Sequence, residues 1–205
     1  MHKEILSKKQ QNFLPLLSEF KQNFGLVGGT AIALQIGHRE SIDFDLFSLH
    51  EFKNSRLRQI IKLNGLDISH VAQDERGEFS FTVNGIRLTF LYYPFPIKFN
   101  LEIEKYIKSP DILTLAAMKA YALSRRNKWK DYVDLYFIIN SFYSVKQISV
   151  QAKKIFKGEF NERIFRESLV YFKDIDYSEK ISFMPGYERE DKEIKKALIK
   201  FSLDK

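Results

Sequence analysis

The 205-residue chain contains no cysteine. Disulfides are therefore impossible, and zinc sites built on thiolates are excluded. Proline (5) and glycine (9) are sparse, and no repeat, low-complexity tract or linker-like stretch interrupts the chain. No apolar run approaches the roughly 20 residues needed to cross a bilayer, so no membrane association is expected. The opening residues, MHKEILSKKQQNF, lack the apolar core of a secretory signal, which points to a cytoplasmic protein. What is present is ordinary for a globular protein: 44% hydrophobic and 29% charged residues, with aromatics at 15% including 19 Phe, enough for a well-filled core. The net charge of +7 suits a polyanionic partner such as RNA or a nucleotide, and suits plain solubility equally well.

The chain reads as a mixed α/β half to about residue 105 followed by a helical half, 106–205. Residues 4–24 read as helix interrupted at Pro15, with Gly25 as a stop. Thr30 to Ile36 makes a short helix between glycines. Ser41 to Phe47 alternates as a strand, with Ile42, Phe44 and Leu46 on one face and Ser41, Asp43, Asp45 and Phe47 on the other. Phe52 to Leu63 reads as helix. FSFTVNGIRLTFLYY predicts a hairpin turning at Asn84-Gly85, and a short strand is expected at LEIEKY. Ser109-Pro110-Asp111 then supplies an N-cap, an N1 proline and an early acid, and helices are expected near 110–125, 130–143, 147–157, 160–173 and 189–202.

The stretch GLVGGTAIALQIGHRESIDFDLFS, residues 25–48, concentrates the chemistry. Period two sets Asp43 and Asp45 on one strand face with Cα atoms about 6–7 Å apart. Two carboxylates that close repel each other and want a cation; hard oxygen donors suit Mg²⁺ or Mn²⁺, especially where substrate phosphates complete the coordination. Just upstream, Gly28-Gly29-Thr30 opens a helix whose free N–H groups favour an anion. Either fragment alone is commonplace as a tight turn or a polar strand face. Together they form a phosphate cradle beside a metal-binding acid pair, the equipment of nucleotidyl transfer.

LVGGTAIALQIGHRESIDFDLF resembles the signature of the AbiEii/AbiGii-type nucleotidyltransferase toxins of the DNA polymerase β-like superfamily. The shared pattern is Gly-Gly-Thr, a short apolar helix, Gly-His-Arg, then Ser-x-Asp-x-Asp. The resemblance implies a small mixed sheet with helices, the minimal fold of that superfamily, and a C-terminal helical region that completes the active-site cleft. It implies that Gly28, Gly29 and Thr30 hold the triphosphate of an NTP and that Asp43 and Asp45 hold the metal. Ser41 shares the aspartate face within reach of phosphate. Arg39 has two roles open to it, phosphate binding and pairing with a neighbouring acid. His38 reads as a loop hydrogen-bonding residue, since no second histidine lies at ligand spacing.

A second stretch, SPDILTLAAMKAYALSRRNKWKDYVDLYFI, resembles the family's other signature: Asp-Ile, Met-Lys, Arg, then Lys-Asp-x-x-Asp-Leu. On a helix from Pro110, Lys119 falls in the middle of the apolar stripe, and in the next helix Asp131 does the same, with Asp134 flanking it. A buried Lys119–Asp131 ion pair is the plain structural explanation. The resemblance instead implies that Lys119 contacts the triphosphate and Asp131 orients it or acts as base, with Arg126 among the nucleotide-binding cations and Arg125, Lys128 and Lys130 at the rim. Beyond residue 140 the likeness thins to ESLVYFKDIDYSE, residues 167–179, to which no role attaches.

One part is missing. Enzymes of this superfamily usually carry a third carboxylate on a neighbouring strand, and in GIRLTFLYYP that position is Thr89; Glu102 and Glu104 are the candidate substitutes, with a solvated role equally open to both. The function implied is Mg-dependent transfer of a nucleotidyl group from an NTP to RNA, foremost the 3′ end of tRNA, by a bacterial toxin with a cognate antitoxin. Transfer to a protein or small-molecule hydroxyl, and nucleotide or RNA binding without catalysis, are the alternatives.

Overall fold

A computed structural model describes residues 1–204, which divide after Pro110 into two compact units. In the first unit the expected N-terminal helix is three short pieces: a 3₁₀ turn at Lys3–Ile5, helix α1 at Lys8–Phe13, and a second 3₁₀ segment at Leu14–Glu19. Pro15 sits in the first turn of that last segment, where its missing N–H does no harm, whereas a continuous helix would place its ring against the preceding turn. Ser7 and Gln10 form a capping box at the start of α1. Strand β1 (Gly25–Val27) leads into helix α2 (Gly28–Ile36), which ends on Gly37 at φ 81°. Strand β2 (Asp43–Ser48), helix α3 (Asn54–Leu63) and strands β3 (Ile68–Glu75), β4 (Glu78–Val83) and β5 (Ile86–Tyr92) follow.

These strands form one mixed sheet in the order β1-β2-β5-β4-β3. β2 runs parallel to β5 and the remaining pairs are antiparallel. Asn84 and Gly85 both take positive φ, 52° and 77°, as a type I′ hairpin turn requires. One face of the sheet is a packed aromatic core. Phe44, Leu46, Phe79, Phe81, Leu88 and Phe90 are fully buried. Phe20 and Phe24 meet Phe90 edge-on at 4.9 and 5.0 Å between ring centroids, and Phe13 stacks on Phe44 at 6.2 Å. Truncating any one of these rings to alanine costs about 3–5 kcal/mol on ordinary cavity arithmetic.

Three details differ from the sequence reading. Ile42 is 61% exposed, because β2 begins at Asp43 and the residue before it lies outside the ladder. β3 is an edge strand with mostly exposed side chains and two register irregularities, so it lacks the alternation that would announce a strand. Strands β6 (Leu101–Ile103) and β7 (Ile107–Ser109) pair only with each other, which keeps Glu102 and Glu104 off the sheet that carries Asp43 and Asp45.

The second unit is helical: α4 (Ile112–Leu123), α5 (Trp129–Ser141), α6 (Val145–Phe156), α7 (Glu162–Val170) and α8 (Asp191–Leu203). Asp111, rather than the expected Ser109, caps α4; its carboxylate accepts from the Thr114 N–H at 2.8 Å. Ser109 is buried in β7, so its backbone belongs to a ladder. A Ser144–Gln147 capping box opens α6, and Asn161 caps α7. Residues 171–190 connect α7 to α8 without forming a helix.

Candidate active site

β2 places its apolar and acidic residues on opposite faces. Phe44 and Leu46 are fully buried, while Asp43 and Asp45 are half-buried on the other side. In the parallel register Asp43 aligns with Arg87 and Asp45 with Thr89. Thr89 therefore does stand beside the acids, as expected of the third position. Its hydroxyl lies 3.4 Å from Ser80 Oγ, which also accepts from Arg87 Nε at 3.3 Å. The charged group that β5 offers on this face is a cation rather than a third acid.

Gly28 shows why a glycine must open α2. Its φ of 72° strains any L side chain, and a Cβ there would overlap Oδ2 of Asp45. The start of α2 thus rests directly against a carboxylate of β2. Thr30 ties the two elements together: its Oγ1 donates to the Asp43 carbonyl and lies 2.7 Å from Ser41 Oγ, so Ser41 donates to Thr30. Both hydroxyls are buried, as is Arg39, which is 1% exposed and donates from Nη1 to the Glu40 carbonyl at 2.9 Å. His38 is fully buried in the same loop. Gln10 Nε2 fastens that loop through the Ser41 carbonyl at 2.7 Å.

Among the described residues no group of three or more His, Cys, Asp or Glu is arranged to hold a metal. The carboxylates on this face that could hold a divalent cation are Asp43 and Asp45. That pair fits Mg²⁺ or Mn²⁺: both donors are hard carboxylates, both are half-buried, and the glycine at 28 lets the Asp45 carboxylate lie against the start of α2.

In the second unit Lys119 and Asp131 form the ion pair anticipated on structural grounds, and Lys119 also lies 3.0 Å from Asp134. All three are buried. Asp134, which the sequence placed only at the flank, is a full member of the cluster. Arg126 adds a fork: Nε donates to Asp131 Oδ2 at 2.8 Å and Nη2 to Oδ1 at 3.2 Å. Burial alone would raise the Asp131 pKa, but the charges of Lys119 and Arg126 outweigh it and hold the carboxyl below its usual range. Burial and the Asp131 charge push the adjoining Tyr132 phenol up to about 12. The Arg126 side chain stays half exposed, so it is the outward cation of the cluster.

The expected rim charges are largely engaged. Arg125 stacks 3.6 Å over the Tyr121 ring and donates to the Glu159 carbonyl. Lys128 and Lys130 each bond one oxygen of Glu179 at 2.6 Å. Glu179 lies far along the chain with no periodicity linking it to them, so nothing in the sequence pointed to it.

The family model for the nucleotidyl transferase AbiEii toxin, type IV toxin–antitoxin system, matches residues 16–204. The chain belongs to the AbiEii family. A curated protein of Aquifex aeolicus (strain VF5) is 32% identical to this AbiEii chain over 163 residues, 74% of this chain and 75% of that one. The structure resembles MenT4, a nucleotidyltransferase toxin from Mycobacterium tuberculosis H37Rv, with a TM-score of 0.63 at 14% identity over 95% of this chain and 80% of the other. It also resembles the antibiotic-resistance factor ANT(2'')-Ia, with a TM-score of 0.50 at 13% identity over 72% and 92%. At such identities the likeness speaks to fold, and the fold of an AbiEii nucleotidyltransferase is what the mixed sheet and following helices make.

Proposed function

We propose that this AbiEii toxin transfers a nucleotidyl group from an NTP to the 3′ end of an RNA acceptor, tRNA foremost, with Mg²⁺ or Mn²⁺ held by Asp43 and Asp45. The observation that carries this reading is Gly28 at positive φ against the Asp45 carboxylate, with Asp43 beside it on the face of the sheet opposite the aromatic core. The N–H groups of Gly28 and Gly29 offer a cradle for the triphosphate, Thr30 fixes that turn to β2, and Ser41 supports Thr30. Arg39, buried and bonded to its own loop, serves by shaping the turn. The acceptor hydroxyl oxygen attacks the α-phosphorus as the bond to the bridging oxygen breaks, pyrophosphate departs and the hydroxyl proton passes to water. A bound divalent cation supplies charge neutralisation on the phosphate oxygens.

Lys119 and Arg126 keep the nucleotide-binding role that the family resemblance implies for them, with Arg126 as the exposed donor of their cluster. Asp131 suits orientation better than proton abstraction. A carboxylate held acidic by two cations is a weak base, and its fork to Arg126 is a positioning contact. Positioning and charge stabilisation supply most of the rate in such reactions, so a weak base is compatible with turnover. An antitoxin partner follows from the type IV toxin–antitoxin family, and the bacterial cytoplasm is the expected place of action.

The test is incubation with each α-labelled NTP, Mg²⁺ and total cellular RNA. Label on tRNA supports the reading; label on protein or in a low-mass product moves the acceptor to another hydroxyl. NTP binding by calorimetry without any product would overturn transfer and leave a binding module, the outcome that Thr89 in place of an acid favours.

A further inference from the structure

Residues 171–179 form neither helix nor continuous strand, yet their bonds converge on the turn between α4 and α5. The Trp129 N–H donates to the Asp176 carbonyl at 3.0 Å, and the Asp176 N–H donates to the Asn127 carbonyl at 2.8 Å, a parallel bridge on either side of Lys128. Glu179 straddles the same turn, taking Lys128 on one carboxylate oxygen and Lys130 on the other. Burial would raise the Glu179 pKa, but the two lysine hydrogen bonds prevail and hold it at about 2. The Tyr132 hydroxyl donates to the Tyr171 carbonyl at 2.8 Å. Trp129 is enclosed between them: its Nε1 donates to Asp191, its ring lies 5.5 Å from that of Tyr177, and Lys195 Nζ lies 5.5 to 5.6 Å from the rings of Trp129, Tyr177 and Phe172.

The stretch so held runs from Arg126, in the turn, to Asp131, in the first turn of α5. Lys128 and Lys130 would repel each other and draw the turn toward solvent unless an anion joined them. We infer that the 171–179 segment is a clamp on the α4–α5 turn, and that Glu179 is a positioning residue for nucleotidyl transfer, keeping the Arg126–Asp131 fork in register for the triphosphate. This rests on the assignment of Arg126 and Asp131 to the nucleotide. The clamp lies 40 to 53 residues beyond the turn in sequence, so it transmits nothing through local chain stiffness and acts through the bonds named above.

Trp129 is the sole tryptophan of the chain and reports directly on the clamp. The experiment compares wild type, Glu179→Gln and Glu179→Asp by acrylamide quenching of Trp129 and by kcat and KM for label transfer from each Mg–NTP to total RNA. Glu179→Gln is expected to raise the quenching constant about twofold and to lower kcat about tenfold or more, since small misplacements of binding groups have effects of that order. Glu179→Asp, which keeps the charge, is expected to restore most of both. Unchanged quenching, or raised quenching with wild-type kcat and KM, overturns the clamp. If Glu179→Gln does not fold, Lys130→Gln removes one of the two bonds and must show both effects in smaller degree. Asp43→Ala and Asp131→Ala are controls: an inactive pair beside a fully active Glu179→Gln overturns the clamp alone, whereas active controls overturn the assignment beneath it.

Discussion

Thr89 stands level with Asp45 in the parallel ladder of β2 and β5, and the two side chains rise from the same face of the sheet. Neighbouring strands lie about 4.8 Å apart, so an acid at 89 would reach a cation held by Asp45. Thr89→Asp is expected to tighten Mn²⁺ binding about three- to tenfold by isothermal titration, because hard cations gain affinity with each added carboxylate. Unchanged or weaker Mn²⁺ affinity would mean that the added acid only repels the two already present.

Asp43→Ala and Asp45→Ala are each expected to abolish label transfer while leaving the circular dichroism spectrum intact. The pair faces away from the aromatic core, so loss of either carboxylate leaves that core packed. Full activity of either variant with Mg²⁺ present refutes the metal assignment.

Gly28→Ala combines an unfavourable φ with a clash against Asp45. A non-glycine residue in the left-handed region costs about 1–3 kcal/mol, readable as a lower urea midpoint. Nucleotide binding should fall with it. Gly65→Ala is the matched control, since Gly65 has a φ of 70° with nothing near its missing Cβ; it should show the strain without the loss of nucleotide binding.

Lys119→Met keeps the stem volume and removes the charge. It takes the lysine away from Asp134 and from Asp131, which keeps Arg126, and both acids are buried, so unfolding free energy should drop by roughly 3–5 kcal/mol in urea melts. Activity per folded molecule decides the second role. A variant that melts early but turns over normally confines Lys119 to structure, whereas a lost response to NTP places it on the triphosphate.

Acid should loosen the second unit in a defined window. Glu179 has its folded pKa depressed from 4.5 to about 2, so its contribution is complete above the unfolded value and disappears as pH falls between those limits. Asp131 is depressed as well and works in the same direction. Urea midpoints should therefore fall below about pH 4.5, and Glu179→Gln should flatten that fall. An identical pH profile for the variant would show that Glu179 contributes no linkage.

What could be read from the chain alone follows from which interactions are local. β2 announced itself because Phe44 and Leu46 alternate with Asp43 and Asp45, and the Asn84-Gly85 turn because two consecutive positive φ angles need those residues. Lys119 and Asp131 were visible as charges on apolar stripes. β3 was hidden because an exposed edge strand has no buried face to write a period into its sequence. The cap of α4 was misplaced by two residues because Ser109 and Asp111 are both good caps, and only the β6·β7 ladder decides between them. Asp134 as second partner of Lys119, and Glu179 as partner of Lys128 and Lys130, depend on side chains meeting in space, which spacing along the chain does not encode.

The parallel pairing of β2 with β5 also sets when this toxin can become dangerous to the cell that makes it. Asp45 and its neighbour Thr89 are 44 residues apart, and β4 must form its hairpin with β5 on the other side of that strand. A nascent chain that has just released its two carboxylates from the ribosome has β1 on one side of β2 but no β5 on the other, and closing so long a loop is slow compared with local helix formation. The acids reach a fixed face only after residue 92 has emerged. A fragment truncated before β5 carries the complete acidic motif without the strand that lies level with it.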